Sequence, residues 1–314
     1  MNVTVAMSPR DLVKSAELLA GGTDLGERLR SGVSTGPVVD ISRLPGLDAI
    51  TGAGGEPLRI GALVTIATIG ADARVRHGYP ALAAPAQTLA TPQIRAMGTM
   101  GGVLCQRSRC WYYRHPDLTC YKSGGNSCPA RDGNNHFGVA FDLGPCVYPH
   151  PSSIALGLLA YDATFDTTAR HDIPIAELYG DGHDPTRDHL LDPGEMLTKV
   201  TLPRSTPDER ASYVRLMSRT WAEWPLVECV VRLVMSAETI DDARICVGAV
   251  ANIPIRLPRV EDALRGRSPS HETLIDAASR ATDGANPLDQ TRYKLRMISA
   301  TVLETLERAT ANHA

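Results

Sequence analysis

The sequence predicts an α+β protein of two domains, and three observations predict it. The chain has 314 residues, about twice the ~150 of a typical domain. Short β-like runs occur in both halves, mixed with helical patterns. In the last third, three strand-like runs are followed by helices instead of alternating with them, the order of an α+β unit. Hydrophobic residues make up 43% and charged residues 21%, far from a disordered composition. A formal net charge of -3 gives no basic footprint and speaks against a nucleic-acid partner. No apolar run approaches the ~20 residues of a membrane helix, and residues 1–12 do not read as an export signal. The expectation is a cytoplasmic chain without a membrane span, or one exported together with a signal-bearing partner.

Taken in order, Ser8, Pro9 and Asp11 suit a helix start as cap, first position and dipole partner. Leu12, Ala16, Leu19 and Ala20 then fall at helical spacing, and Gly21-Gly22 stops the helix. Residues 38–41 and 58–63 read as strands, and 80–96 as a helical stretch interrupted by Pro85 and Pro92. Regular structure lapses from Cys105 to Cys146. It resumes with a helix over 154–160 and a strand over 197–202, and 203–208 reads as a linker. Strands are expected over 213–219, 226–235 and 244–251. In the final helix Leu295, Ile298, Val302 and Leu306 share one apolar face. Cys229 and Cys246 read as small buried hydrophobes, and Tyr213, Trp221 and Trp224 as packing anchors.

Two features carry chemistry. Ala20-Gly21-Gly22-Thr23-Asp24-Leu25 and Thr99-Met100-Gly101-Gly102 are paired-glycine turns with a threonine beside each. Such turns bend tightly and their N–H groups can line a nest for a diphosphate. The first is expected to follow a helix, so it matches neither a dinucleotide-binding fingerprint nor a P-loop. The second feature is bunching: of seven cysteines, Cys105, Cys110, Cys120, Cys128 and Cys146 fall in one segment. Thiolates there suit an iron–sulfur cluster or zinc, and disulfides or unligated thiols stay open as alternatives. No Ser-His-Asp order, HExxH or Walker pattern is present, so nothing suggests nucleophilic catalysis.

The glycine turns, Gln93-Ile94-Arg95 ahead of the second, and Pro193-Gly194-Glu195 before a strand ending in Leu202-Pro203 together resemble one family. It is the FAD-binding (medium) subunit of the molybdenum hydroxylases, which include xanthine dehydrogenase, carbon monoxide dehydrogenase and aldehyde oxidoreductase. The likeness runs nearly end to end, through Tyr213-Val214-Arg215 and the terminal helix. It implies a two-subdomain FAD-binding domain over residues 1–205. A C-terminal domain of three antiparallel strands and helices would follow over 206–314. It also implies FAD on Ala20, Gly21, Gly22, Thr23, Asp24 and Leu25 and on Thr99, Gly101 and Gly102, with Ser153, Leu197 and Arg215 completing the set and the flavin near Glu195.

The segment inserted over 103–150 resembles the branch with an extra [4Fe–4S] cluster, typified by periplasmic aldehyde oxidoreductase and 4-hydroxybenzoyl-CoA reductase. That likeness implies Cys110, Cys120, Cys128 and Cys146 as ligands, with Cys105 in reserve. Four positions depart from the family's usual residues: Ala96 and Val103 replace Asn, Ser153 replaces Asp and Arg215 replaces Lys. The implied function is electron transfer between a molybdopterin-binding large subunit, a [2Fe–2S] small subunit and an external acceptor. Two alternatives are the same subunit with its cluster but no FAD, and a zinc-stabilised scaffold without redox function.

Overall fold

The computed structural model describes residues 3–52, 55–220 and 222–311; Trp221, expected as a packing anchor, lies outside them. β1 (Val3–Val5), β2 (Glu17–Leu19) and β3 (Val38–Asp40) form a parallel sheet in the order β1-β3-β2. Here the expected helix over residues 8–20 is corrected. Ser8 does cap a turn, in a full capping box with Asp11, but that turn is the three-residue 3-10 helix Pro9–Asp11. The chain then enters β2, which pairs with β3 from Glu17↔Val38 to Leu19↔Asp40. Leu12, Ala16, Leu18 and Ala20 face a core of Ala6, Val39, Ile41, Leu44, Leu63 and Met196. Ala16, Leu18 and Ala20 repeat every second residue, and that strand period prevails over the helical one.

The second subdomain holds β4 (Ile50–Thr51), β5 (Leu58–Gly61), β6 (Thr164–Thr167), β7 (Ile173–Pro174) and β8 (Leu197–Leu202). These make one antiparallel sheet in the order β4-β5-β8-β6-β7. Its core takes in Leu82, Ile154, Leu158, Phe165 and Val200. The helix Pro80–Thr88 runs through Pro85, contrary to the interruption expected there. Burial of Ala81, Leu82, Ala83, Pro85 and Ala86 outweighs the hydrogen bond that proline removes. The break falls before Pro92, which opens the helix Pro92–Met97.

β9 (Glu209–Met217), β10 (Pro225–Ser236), β11 (Thr239–Gly248) and β12 (Ile255–Arg256) form the C-terminal antiparallel sheet. Three long strands were expected; the two-residue β12 adds a fourth at the edge. Alternate residues of β10 serve two cores. Cys229, Val231 and Leu233 face the terminal helix Tyr293–Ala311 through Ile298, Val302 and Leu306, while Val230 joins the core of the first domain. Cys229 and Cys246 are fully buried. No helix among the described residues is long and apolar enough to cross a membrane.

Candidate functional site: a glycine-walled cavity beside a thiol core

β2 ends at Leu19 and turns through Ala20, Gly21 and Gly22 into the helix Leu25–Arg30. The context is therefore strand, glycine turn, helix, the reverse of the expectation that a helix precedes the turn. Gly22 has φ +70, a left-handed conformation suited to glycine. A Cβ on Gly21 would stand 1.7 Å from the carbonyl oxygen of Met97. The two glycine turns therefore touch backbone to backbone. In the second turn, Thr99 caps the helix Met100–Leu104, its hydroxyl accepting from the Gly102 N–H at 3.2 Å.

A cavity of about 570 Å³ opens along these turns, lined by Ala20, Gly21, Gly22, Thr23, Asp24, Leu25, Thr99, Gly101, Gly102 and Leu197. Its far wall includes Glu195, whose carboxylate takes two bonds from Arg170, at 2.7 and 2.8 Å, and one from Thr167 at 2.6 Å. Those arginine bonds, against the opposing effect of burial, hold its pKa at about 2. A ring nitrogen of His189, on the same wall, is buried without a protein partner.

Ser153 and Arg215, both expected at the cofactor, do not line this cavity. Glu228 on β10 is 1% exposed and draws them elsewhere. The Tyr213 hydroxyl donates to it at 2.6 Å, and Ser153 and the Arg215 charge also act on it. Three neighbours thus share one buried carboxylate that cannot stand alone.

Asp24 does more than line the cavity. Its carboxylate meets Arg114 at 2.6 Å, Arg109 at 3.1 Å and Arg28 at 3.4 Å, all nearly buried. Burial pushes its pKa up, but Arg109, Arg114 and Arg28 together bring it below the ordinary value. Glu27, one turn on, meets Arg109 at 2.7 Å and Arg114 at 3.3 Å. The glycine-turn helix thereby fastens the start of the cysteine segment.

Within residues 103–150, Cys110 and Cys120 join Tyr113, Ala130, Val139 and Val147 in a small core against which Cys128 packs. Cys146 is buried and lies close enough that its charge acts on Cys110, while that of Cys128 acts on it. All are free thiols, so the disulfide alternative is not what the structure holds. Burial pushes Cys110 up to about 12, so ionising it needs a strongly bound cation. Among the described residues, no three His, Cys, Asp or Glu side chains stand close enough for a single metal ion. A four-iron cluster takes one thiolate per iron and spreads its ligands more widely. Four thiols match the donor number of such a cluster, one per iron. Cys105 instead lines the glycine-walled cavity.

One buried carboxylate joins the two places. Asp188, on the cavity wall, meets Arg107 at 2.6 Å and the Lys122 amine at 2.9 Å, with Lys122 only 6% exposed. Asp188 and His189 are not legible in the sequence, because residues 180–189, rich in Gly, Asp and His, carry no local sign of burial.

His150 and His189, both buried beside this group, have pKa values lowered by burial to about 3 and about 4. The unfolded chain protonates both near ~6.5, so it binds more protons than the folded state below that pH. Stability is then full above about pH 6.5 and falls progressively toward pH 4. Thermal unfolding midpoints measured from pH 7.5 to 4.5 should decline, and His150→Gln should flatten that decline. An equal slope in the variant would remove His150 as a source.

Comparison with known proteins agrees with this geometry. A family model described as the FAD binding domain in molybdopterin dehydrogenase matches residues 3–205. A second, the CO dehydrogenase flavoprotein C-terminal domain, matches residues 212–309. Fold and cavity thus define an FAD-binding flavoprotein of the oxidoreductase class. The chain is 30% identical over 310 residues to the aldehyde oxidoreductase FAD-binding subunit PaoB of Escherichia coli K12, covering 95% of this chain and 93% of that one. It belongs to the FAD-binding medium subunits of the molybdenum hydroxylase family. It is also 24% identical over 308 residues to the carbon monoxide dehydrogenase medium chain of Hydrogenophaga pseudoflava, covering 96% and 92%. For the fold, a solved carbon monoxide dehydrogenase of that organism matches with a TM-score of 0.77 at 22% identity, over 100% of this chain and 98% of that one. Quinoline 2-oxidoreductase from Pseudomonas putida 86 gives 0.75 at 21%, over 98% and 96%.

Proposed function

We propose that this subunit relays electrons between FAD and a [4Fe–4S] cluster within a larger molybdenum hydroxylase. Supporting this reading is the shared wall. Asp188 lines the glycine-walled cavity and also holds Lys122, which follows Cys120 by two residues. The residues 20–25 and 99–102 would bear the FAD diphosphate on their backbone N–H groups, with Glu195 and Leu197 beside the flavin. Cys110, Cys120, Cys128 and Cys146 would hold the cluster in the inserted core. Together the two groups supply one- and two-electron chemistry; the chain's own residues position them and keep them apart from water.

The assembly in this reading is a heterotrimer-type complex with a molybdopterin-binding large subunit and a [2Fe–2S] small subunit, delivering electrons to an external acceptor. Relatives matched nearly end to end are named for aldehyde and for carbon monoxide, and in this reading the substrate is chosen on another chain. Iron and flavin analysis of the purified complex tests the reading. Wild type should carry about four irons in this chain's cluster in addition to those of its partner, and Cys120→Ser should lose that increment with its visible absorbance. Stoichiometric zinc in place of the increment would sink the reading. Flavin retained alongside a lost cluster would show that the two sites load separately.

A further inference from the structure

Lys122 occupies an unusual place for an ammonium group. It lies in the 3-10 turn Tyr121–Ser123, directly after Cys120, with a side chain 6% exposed. Its amine meets Asp188 at 2.9 Å and donates to the Arg187 carbonyl at 2.7 Å. Through Cys120, which heads its turn, Lys122 borders the buried core that Cys120 shares with Cys110 and against which Cys128 packs. Asp188 is shared with Arg107, so the local group of Lys122, Asp188 and Arg107 holds two cations against one carboxylate. A buried positive excess beside this cysteine core is a fixed field, screened little by solvent.

We propose that Lys122 is a positioning residue for electron transfer: its buried ammonium, held in place and partly offset by Asp188, makes the thiolate-bound cluster easier to reduce. The proposal rests on the reading of a [4Fe–4S] cluster on Cys110, Cys120, Cys128 and Cys146. Reduction adds one electron and makes the cluster more negative, with no bond broken and no proton needed for balance. A nearby cation favours the more negative form, and a nearby carboxylate disfavours it. Removing Lys122's charge should therefore lower the cluster's reduction potential, and removing Asp188's charge should raise it. Opposite signs from two partners of one ion pair are not what a purely structural role would give.

The test is a dithionite titration of the intact complex, with this cluster followed by electron paramagnetic resonance in wild type, Lys122→Met, Lys122→Arg and Asp188→Asn. At a fixed ambient potential, Lys122→Met should lower the reduced-to-oxidised ratio at least tenfold, about 59 mV for one electron. Asp188→Asn should raise the ratio, and Lys122→Arg should stay near wild type. Potentials of Lys122→Met and Asp188→Asn that match wild type, or that move in the same direction, overturn the proposal. If Lys122→Met fails to retain iron, Asp188→Asn decides alone, and an unchanged or lowered potential there overturns it. A wild-type complex lacking this chain's iron overturns the underlying cluster reading, which is a separate result from a cluster indifferent to Lys122.

Discussion

Gly21→Ala is expected to abolish flavin retention. The new methyl would lie 1.7 Å from the Met97 carbonyl oxygen and 2.6 Å from its carbon, and the obstacle is backbone, not a movable side chain. The turn of residues 20–25 must then shift off the turn of 97–102, and both line the same cavity. Cavity-lining backbone displaced by an ångström loses hydrogen bonds that an extended diphosphate needs together. Flavin content after gel filtration should fall to near zero. Gly36→Ala is the control, because a Cβ there meets nothing within 4 Å. Equal flavin in both variants would mean that the close approach of the two turns does not shape the cavity.

Asp24→Asn is expected to destabilise the chain by about 3 kcal/mol. The substitution keeps the shape and an acceptor for the Arg107 N–H, but leaves Arg28, Arg109 and Arg114, all nearly buried, without their common carboxylate. Glu17 still serves Arg28, and Glu27 still serves the other two, which keeps the loss from being larger. Denaturant unfolding of the wild type and the variant measures it. Limited proteolysis should cut the variant first within residues 105–146, because the lost contacts fasten that segment. A change below about 0.5 kcal/mol would place Asp24 among ordinary surface ion pairs.

Much of this fold is legible in the sequence where one period dominates. The Ile154–Ala160 stretch, the runs around Val200 and Val230, and the face of Ile298, Val302 and Leu306 stand nearly where their patterns put them. Residues 12–20 mislead because two periods coexist there, and only pairing with Val38 and Val39 decides between them. The glycine turns are legible as a site, since both line one cavity, and the bunched cysteines are legible as a group, since Cys110, Cys120 and Cys128 meet in one small core. Ser153 and Arg215 are not: their partner is Glu228, more than 10 residues from either, and no local pattern announces a buried glutamate in a strand. Asp188 is hidden for the same reason, being defined by Arg107 and Lys122 from a distant segment.

The placement of β8 has a kinetic meaning. It lies at the centre of the five-stranded sheet, pairing with β5 on one side and β6 on the other, yet it is the last of those strands to be synthesised. The sheet cannot close until residue 202 is available, which makes this a slow, non-local folding step. Loop closure depends only logarithmically on length, so carrying residues 103–150 between β5 and β8 adds just about 0.4 kcal/mol to it. A long segment there is thus readily tolerated by the sheet, and its own order must come from elsewhere. The arginines that reach Asp24 and Glu27 supply that order, which lets the chain carry the ordered cysteine segment while the sheet keeps its register.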